Sequence, residues 1–510
     1  MKKNLDPKIK NLEILSSVIE AEKKNNKSIV LCHGVFDLVH PGHIRHLNTA
    51  SDQGDILVVS ITSDRFVNKG PGRPVYAARL RAEILAALEQ VDHVIINDNP
   101  SAVNIILSIC PDIYVKGKDY SIPDNDITGK IIEESNAINK MGGSIYFTDE
   151  IVMSSSELLN AHFEVTRPET RRWLNKIKEN FRVNEIIGYL SNISKKRVLV
   201  IGEAIVDEYC FCEGLGKSSK DPILAFQYCS SETHAGGSLA VANHIAGLTD
   251  TVGLLSVIGE INDSPSFVRD NLNSKINFHS LIQSGSPTIH KKRYIDNHTG
   301  SKVFELYTMD DGSLSMEMEN KLLSLTESII ENYDIVIVAD YGHGMISPKF
   351  INLLASKAKF LAVNTQANAG NRGYNTISKY PRADYVCLNG GEVELEARKR
   401  GSNLQNLILD MMNKIDCPNI TVTMGRSGTL HYTRDKEFIE APALATNVVD
   451  RVGAGDVVLA ITSPLVELGV PWELVGFIGN LAAAEIVAEL GTKRSLDMTS
   501  LVKHMEAILK

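Results

Sequence analysis

Short apolar, β-branched runs alternate with helix-patterned stretches through most of this chain, and the alternation starts twice. In the first half, residues 28–34 (SIVLCHG) and 55–61 (DILVVSI) read as strands, with a helical stretch between them opened by Pro41 and Gly42. Further runs at 91–96 and 112–115 follow the helix-like AARLRAEILAALEQ and AVNIILSIC. Strands that are apolar throughout suit a parallel sheet covered on both faces, so a doubly wound α/β domain is expected. Between Glu164 and Lys196 the text turns charged and helix-forming without a strand, which predicts a linker. The alternation resumes at Val198 (VLVIG) and recurs in VGLLSVIG, DIVIVAD, FLAVN, YVCLN and ITVTMG, the grammar of a second open α/β sheet. The expected division is therefore 1–165, a helical linker at 166–195, and 196–510. Two domains also suit a chain of 510 residues, since single cores stop growing near ~300.

Composition narrows the function classes. With 43% hydrophobic and 23% charged residues the chain is neither coiled-coil, collagenous nor broadly disordered. A net charge of −9 supplies no field for nucleic acid or anionic lipid, so neither is an expected partner. The start, MKKNLDPKIKNLEILSS, lacks an apolar signal region, and no apolar run approaches the ~18 residues of a membrane span. Cys32, Cys110, Cys210, Cys212, Cys229, Cys387 and Cys417 form no CxxC pair, which fits reduced thiols and a cytoplasmic location.

The stretch HGVFDLVHPGHIRHL puts a loop after the first strand and begins a helix at Pro41. Helix N-terminal amides and the imidazoles of His40 and His43 then converge where a phosphate would be stabilised. Zinc is the rival reading, through His33, His40, His43 and His46, but no Cys or carboxylate completes a tetrahedron. Near the C-terminus, VVDRVGAGDVVLAI places Gly453, Ala454 and Gly455 where a loop opens a helix, with Asp456 close enough to take a proton. An amide cradle plus one base is a sufficient core for phosphoryl transfer, although the same letters also make an ordinary turn and cap. Gly216-Lys217-Ser218 mimics the end of a P-loop, but Phe211 occupies the first glycine position and the segment reads as a loop.

HGVFDLVHPGH resembles the HxGH signature of the cytidylyltransferase-like nucleotidyltransferases. GDILVVSITSD, GRPV, Arg81 in RLRAEILAALEQVD, VKGKDY and SSSELL extend the likeness over about 28–160. In that order they resemble the adenylyltransferase half of the bifunctional heptose phosphate kinase and ADP-heptose synthase family. The resemblance implies that His40 and His43 contact phosphates, Lys116 and Arg81 neutralise charge, and Ser154, Ser155 and Ser156 cap the triphosphate. It also puts Gly34, Phe36, Gly42 and Asp119 at the nucleotide. Without it, Arg81 and Lys116 would read as solvated surface charges.

Over 197–510, GEAIVD, HAGGSLAVANHIAGL, NGGE, TMGRSG and the GAGD loop resemble, in order, the PfkB or ribokinase-like carbohydrate kinases. This implies Asp456 as base and Gly453 to Gly455 as anion hole, with Asp207, Gly236 and Gly237 on the sugar. Asn389 and Glu392 would join the Mg2+ network, and Gly425, Gly428 and Asn480 would lie near ATP. Four features depart from the pattern. Ala240 stands where a sugar-binding Asn is common, NTQANAGNRG replaces an Asp-Pro segment, Arg451 and Val452 replace small hydroxyl residues, and Pro464 predicts a kink or early stop.

Together the halves imply an enzyme that phosphorylates a sugar or sugar phosphate at its anomeric carbon, then transfers a nucleotidyl group to the product with release of pyrophosphate. ATP, or CTP in the transferase half, would be substrate with Mg2+ as cofactor. The other partners would be a sugar phosphate and at most a second copy of the chain. The order of the halves is the reverse of the heptose enzyme's, which argues against the standard enzyme and leaves heptose as only the leading candidate sugar. The alternative is a cytidylyltransferase whose kinase-like half only binds or regulates.

Overall fold

The computed structural model describes residues 7–67, 73–118, 130–148, 167–261, 264–310, 312–434, 437–491 and 493–509. Two compact units result, residues 1–165 with 503–510, and residues 166–502.

In the first unit five parallel strands lie in the order β3-β2-β1-β4-β5: β1 Ile29–Gly34, β2 Ile56–Thr62, β3 His93–Asn97, β4 Ile113–Gly117 and β5 Ser144–Thr148. Side chains alternate across a strand, so Ile29 and Leu31 enter one apolar cluster while Val30 and Cys32 enter another. Strand β4, which follows the short helix Val103–Ile109, and β5, with its half-exposed SIYFT pattern, complete the sheet. Order reverses between β1 and β4, and the crevice beyond their carboxyl ends is where such folds bind ligands.

The second unit holds a nine-stranded sheet, β10-β9-β6-β13-β14-β15-β16-β17-β18. Its strands are β6 Arg197–Gly202, β9 Thr251–Ile261, β10 Ile276–Pro287, β13 Ile335–Asp340, β14 Leu361–Thr365, β15 Tyr385–Asn389, β16 Asn419–Thr423, β17 Thr429–Thr433 and β18 Ile439–Ala441. All pair in parallel except β16 with β17 and β17 with β18. Every strand expected from the apolar runs is present.

A separate sheet was not anticipated. It has four strands, β12-β11-β7-β8, formed by β7 Ala204–Lys217, β8 Leu224–Gly237, β11 Ile289–Asp296 and β12 Lys302–Thr308. Strand β11 alternates perfectly in burial, but its buried face carries Lys291 and Arg293 between Ile289 and Ile295, so it shows no apolar period. Gly216 and Lys217, expected in a loop, are paired residues at the end of β7.

Pro464 does not stop its helix, which runs Ala454–Glu467. Hydroxyls of Thr462 and Ser463 bond back to the carbonyls of Val458 and Leu459, and Leu468 N–H closes on Pro464 O. The expected linker also has structure. Pro168–Asn180 and Val183–Ile193 are amphipathic helices that count with the second unit; Leu174, Ile177, Ile186, Leu190 and Ile193 are buried, and Trp173 packs 6.1 Å from Phe477. Leu174→Ala should therefore lower the unfolding free energy of the second unit by about 2–5 kcal/mol. Urea titration followed by the loss of that unit's transition checks this, and an unchanged midpoint would show that the helix is not part of its core.

Candidate active sites

In the first unit, the loop after β1 leads into the helix Pro41–Ser51. His40 is its N-cap, with Nδ1 accepting the Gly42 N–H at 3.1 Å, and Pro41 at the first turn has no N–H to leave unsatisfied. The His40 and His43 rings lie 4.0 Å apart, and Phe36 packs 5.3 Å from His43. Phe36 is held at φ 48°, a left-handed strain sustained by its burial against Gly34 and His43. These residues, with Gly34 and Gly42, gather at the carboxyl end of β1.

Lys116 ends β4 beside them. It is buried, ion-paired to Glu134 at 3.2 Å, and Glu134 in turn accepts from Tyr114 and the Ala102 amide. Burial, aided by the Lys116 charge, pushes His33 down to about 3, so this imidazole is neutral and bonds Ser60 at 3.0 Å. Arg81 is placed differently from the expectation. It is 0% exposed and donates to Tyr76 O, Val35 O and Asp64, which ties a helix to the back of the His-containing loop. These three bonds tie the loop in position. Asp37, which sequence reasoning missed, pins the same loop through Arg73 and the Val75 amide. Asp119, Ser154, Ser155 and Ser156 lie outside the described residues.

In the second unit the order of strands turns between β6 and β13, and the site is built at their carboxyl ends. Gly453, at φ 82°, caps the helix Ala454–Glu467, and Asp456 sits in its first turn. Tyr341, just past β13, donates its hydroxyl to Asp456 Oδ1 at 2.7 Å. Burial raises the Asp456 carboxyl to about 6; the Tyr341 hydroxyl and Lys291 oppose the rise, and Asp207 adds to it. The Tyr341 turn is fixed from below. Glu203 accepts its amide and that of His343, at 2.9 and 3.0 Å, while burial beside Asp340 raises the Glu203 carboxyl.

The segment that replaces the family's Asp-Pro also serves this turn. Asn368 and Asn371 donate side-chain amides to Tyr341 O, and Asn375 donates to Asp340 O. A run that looked like lost function in the sequence is an asparagine-built brace under the residue that holds Asp456.

Asp207, on β7, is 5% exposed and ion-paired to Arg293 of β11. Gly236 lies so close that an added Cβ would sit 2.1 Å from Asp207 Oδ2, which is why only glycine fits there, and Gly237 follows it into the helix Ser238–Ala246. Ala240 is buried within that helix, and the nearby Asn243 amide turns to Asn271 O, so it does not replace the missing asparagine. Sequence reasoning missed Tyr341, Lys291, Arg293 and Glu203. The signal for the first was its place directly after DIVIVAD, and for the pair on β11 it was the strict spacing of two cations in IHKKRYID.

Asn389 and Glu392 form a reciprocal capping box at the end of β15, and Glu392 also accepts the Ala367 amide. Burial holds its carboxyl at about 7. Both oxygens already take amides, so these residues fit a water-mediated contact to a metal arriving with nucleotide rather than direct ligation. Gly425 and Gly428 flank a short turn after β16. Asn480 is buried and donates to Thr429 Oγ1 and Ala441 O, which places its side chain inside the fold beside Gly428.

A buried carboxyl on a helix-opening glycine loop, at the switch point of a parallel sheet, is the arrangement of an α/β phosphotransferase. The chain belongs to the pfkB family of carbohydrate kinases, which it matches over residues 195–498. Residues 31–160 match the cytidylyltransferase-like family. Among curated proteins it is similar to the bifunctional protein HldE of Campylobacter jejuni subsp. doylei, 30% identical over 302 residues, or 58% of this chain and 62% of that one. HldE of Geobacter metallireducens is 44% identical over 132 residues, covering 26% of each chain. The matches thus span less than two thirds of these relatives' own length. Phosphofructokinase-2 from Escherichia coli, solved with substrates and products, has the same fold at 13% identity and a TM-score of 0.50, over 61% of this chain and 99% of that one.

With the folded carboxyl near 6 and the unfolded value near 3.8, the folded state binds the extra proton between those values. Stability contributed by that protonated form is lost as pH rises through about 6, whereas a base needs the ionised form. Phosphoryl transfer should therefore fall about tenfold per pH unit below the folded pKa. Tyr341→Phe, which removes a hydrogen bond to the charged form, should move that limb upward. A pH–kcat profile flat to pH 5 would exclude Asp456 as the base.

Proposed function

We propose that this chain makes a nucleotide-activated sugar in two steps. Residues 166–502, with the helices at 166–195 included, would phosphorylate a heptose 7-phosphate-like acceptor at its anomeric hydroxyl. Residues 1–165 would transfer an adenylyl group to the new 1-phosphate. The observation that carries this reading is Asp456, hydrogen-bonded by Tyr341 in the first turn of a helix opened by the left-handed Gly453. A purely regulatory kinase half has no use for such a base. Similarity to the bifunctional protein HldE supports the pairing of activities.

In this reading Asp456 takes the acceptor proton, and the amides of Gly453, Ala454 and Gly455 receive the transferring phosphoryl. Asn389 and Glu392 would hold, through water, the Mg2+ that accompanies ATP, which would supply neutralisation of phosphate charge. In the first unit His40, His43 and the helix amides stabilise charge on the α-phosphate while the sugar 1-phosphate displaces pyrophosphate. Seven free cysteines suit a reducing compartment, and we assign the activity to the cytoplasm.

His43→Ala should lower pyrophosphate release by roughly 10²-fold or more while ATP-dependent sugar phosphorylation persists. Asp456→Asn should reverse the pattern, because the amide keeps the shape but takes no proton. Mass spectrometry of products, after ATP or CTP is offered with a panel of sugar phosphates, reads both steps. Equal loss of both activities in either folded variant would overturn the two-site assignment.

A further inference from the structure

In the first unit the helix Lys130–Lys140 buries Ile131, Glu134, Ala137 and Ile138, so a carboxylate stands in its apolar stripe. Glu134 is 2% exposed. A buried acid is costly unless its oxygens find donors, and here both do. Oε1 accepts the amide of Ala102, at 2.9 Å, where the helix Val103–Ile109 begins without a side-chain cap of its own. Oε2 accepts the Tyr114 hydroxyl at 2.8 Å and faces the Lys116 ammonium at 3.2 Å. Burial works against charge on this carboxyl, but Lys116, the amide and the hydroxyl outweigh it and hold its pKa below the ordinary value, so the pair is ionic.

The two oxygens thus have separable tasks: one fastens the start of a helix, and the other fixes an ammonium. Side chains alternate along a strand, so Tyr114 and Lys116 lie on one side of β4, and Tyr114 packs there among Ile105, Ile106, Ile109, Ala137 and Ile138. From that side Lys116 Nζ reaches His33 O at 3.4 Å, which puts the ammonium across the carboxyl ends of β1 and β4. This is the switch point of the sheet, one residue before Gly34 and the loop that leads to His40. A free lysine side chain gives up about 2 kcal/mol of rotamer freedom when it is fixed, and the pair with Glu134 fixes it before any ligand arrives. A buried ion pair is weak evidence for stability, since apolar groups of the same volume often serve as well. What this pair achieves is the placement of a charge.

We infer that Glu134 is a positioning residue of the first site: through Oε2 it holds the Lys116 ammonium at the carboxyl ends of β1 and β4, where a phosphate of the nucleotide, or the pyrophosphate released from it, binds. Glu134 itself touches no substrate, because both oxygens are committed within the fold. A purely structural acid needs only the Ala102 and Tyr114 bonds, which already join its helix to the neighbouring helix and strand.

This rests on the transferase reading above, so its test pairs turnover with a measurement that needs none. Calorimetry of the full chain with pyrophosphate should show affinity roughly tenfold weaker in Glu134→Gln. In that variant the amide oxygen keeps the Ala102 bond while an NH2 group replaces Oε2 beside the ammonium. In a Lys116→Met background the same substitution should make no further difference, which confines the effect to the first unit. In turnover with ATP or CTP and a sugar 1-phosphate, read as pyrophosphate release, KM for the nucleotide should rise by a similar factor with kcat changed less than about twofold. Glu134→Asp, which keeps the charge, should recover part of the loss. Circular dichroism confirms that each variant is folded, and Glu134→Met stands in should the Gln variant fail. Equal affinity in the parent and Glu134→Gln, including none in either, overturns the proposal. So does the same fold loss in both backgrounds, which would leave Glu134 a structural residue only, and so does tighter binding, which would make it a competitor for the ammonium. If the parent binds pyrophosphate but releases none from nucleotide and sugar 1-phosphate, the transferase reading fails, while the binding comparison still decides on Glu134.

Discussion

A general base must be desolvated enough to be aimed and basic, yet ionised enough to accept a proton. Those demands conflict at Asp456. Burial alone drives its carboxyl upward, and Asp207 across the cleft adds repulsion. What opposes them is a set of oriented donors: a helix N-terminus, the Tyr341 hydroxyl and the more distant Lys291 ammonium. The result, near 6, leaves the base mostly ionised at neutral pH without making it inert. Much of the surrounding structure exists to keep those donors in place.

The Tyr341 turn shows how far this support extends. Glu203, raised by burial beside Asp340, accepts two amides of the turn, and three asparagine side chains from 368–375 take its carbonyl side. Asp340 is itself held by Tyr380 and Lys379. A buried carboxylate pair is costly, but once each oxygen is hydrogen-bonded the arrangement resists rotation of any one member. The His40–His43 loop is held by the same logic with other residues, Arg81 from behind and Asp37 from the side. In both units the chemistry sits on short loops, and fully buried ionic groups beneath them supply the rigidity.

This layering explains what could be read from the sequence. Parallel strands buried on both faces are apolar runs, so β1, β2, β6, β9, β13 and their neighbours stood out, as did helix openings at Pro41 and Gly453. The small sheet was illegible because the face it buries is polar: Asp207, Lys291, Arg293 and Glu305 give a strand no hydrophobic period. Residues that touch phosphate carry motif-like spacing along the chain. Those that hold them, such as Tyr341 with Asp456 or Glu134 with Lys116, meet only after folding and leave no local pattern. Arg81 shows the same limit, since its bonds to Tyr76, Val35 and Asp64 are long-range or backbone contacts that no motif announces.

The order of the two halves along the chain then carries little chemical weight. The first site is assembled from residues between His33 and Thr148, and the second from residues between Glu203 and Asn480, so neither borrows a described group named here from the other. In the proposed reading, a sugar 1-phosphate made in the second unit would be chemically complete as the nucleophile for the first, whichever half is made first. In that reading, acceptor selection would rest on the groups that build each site. In the kinase half, that would place the burden on the polar groups of the small sheet, since Ala240 offers no amide and Arg293 is already committed to Asp207.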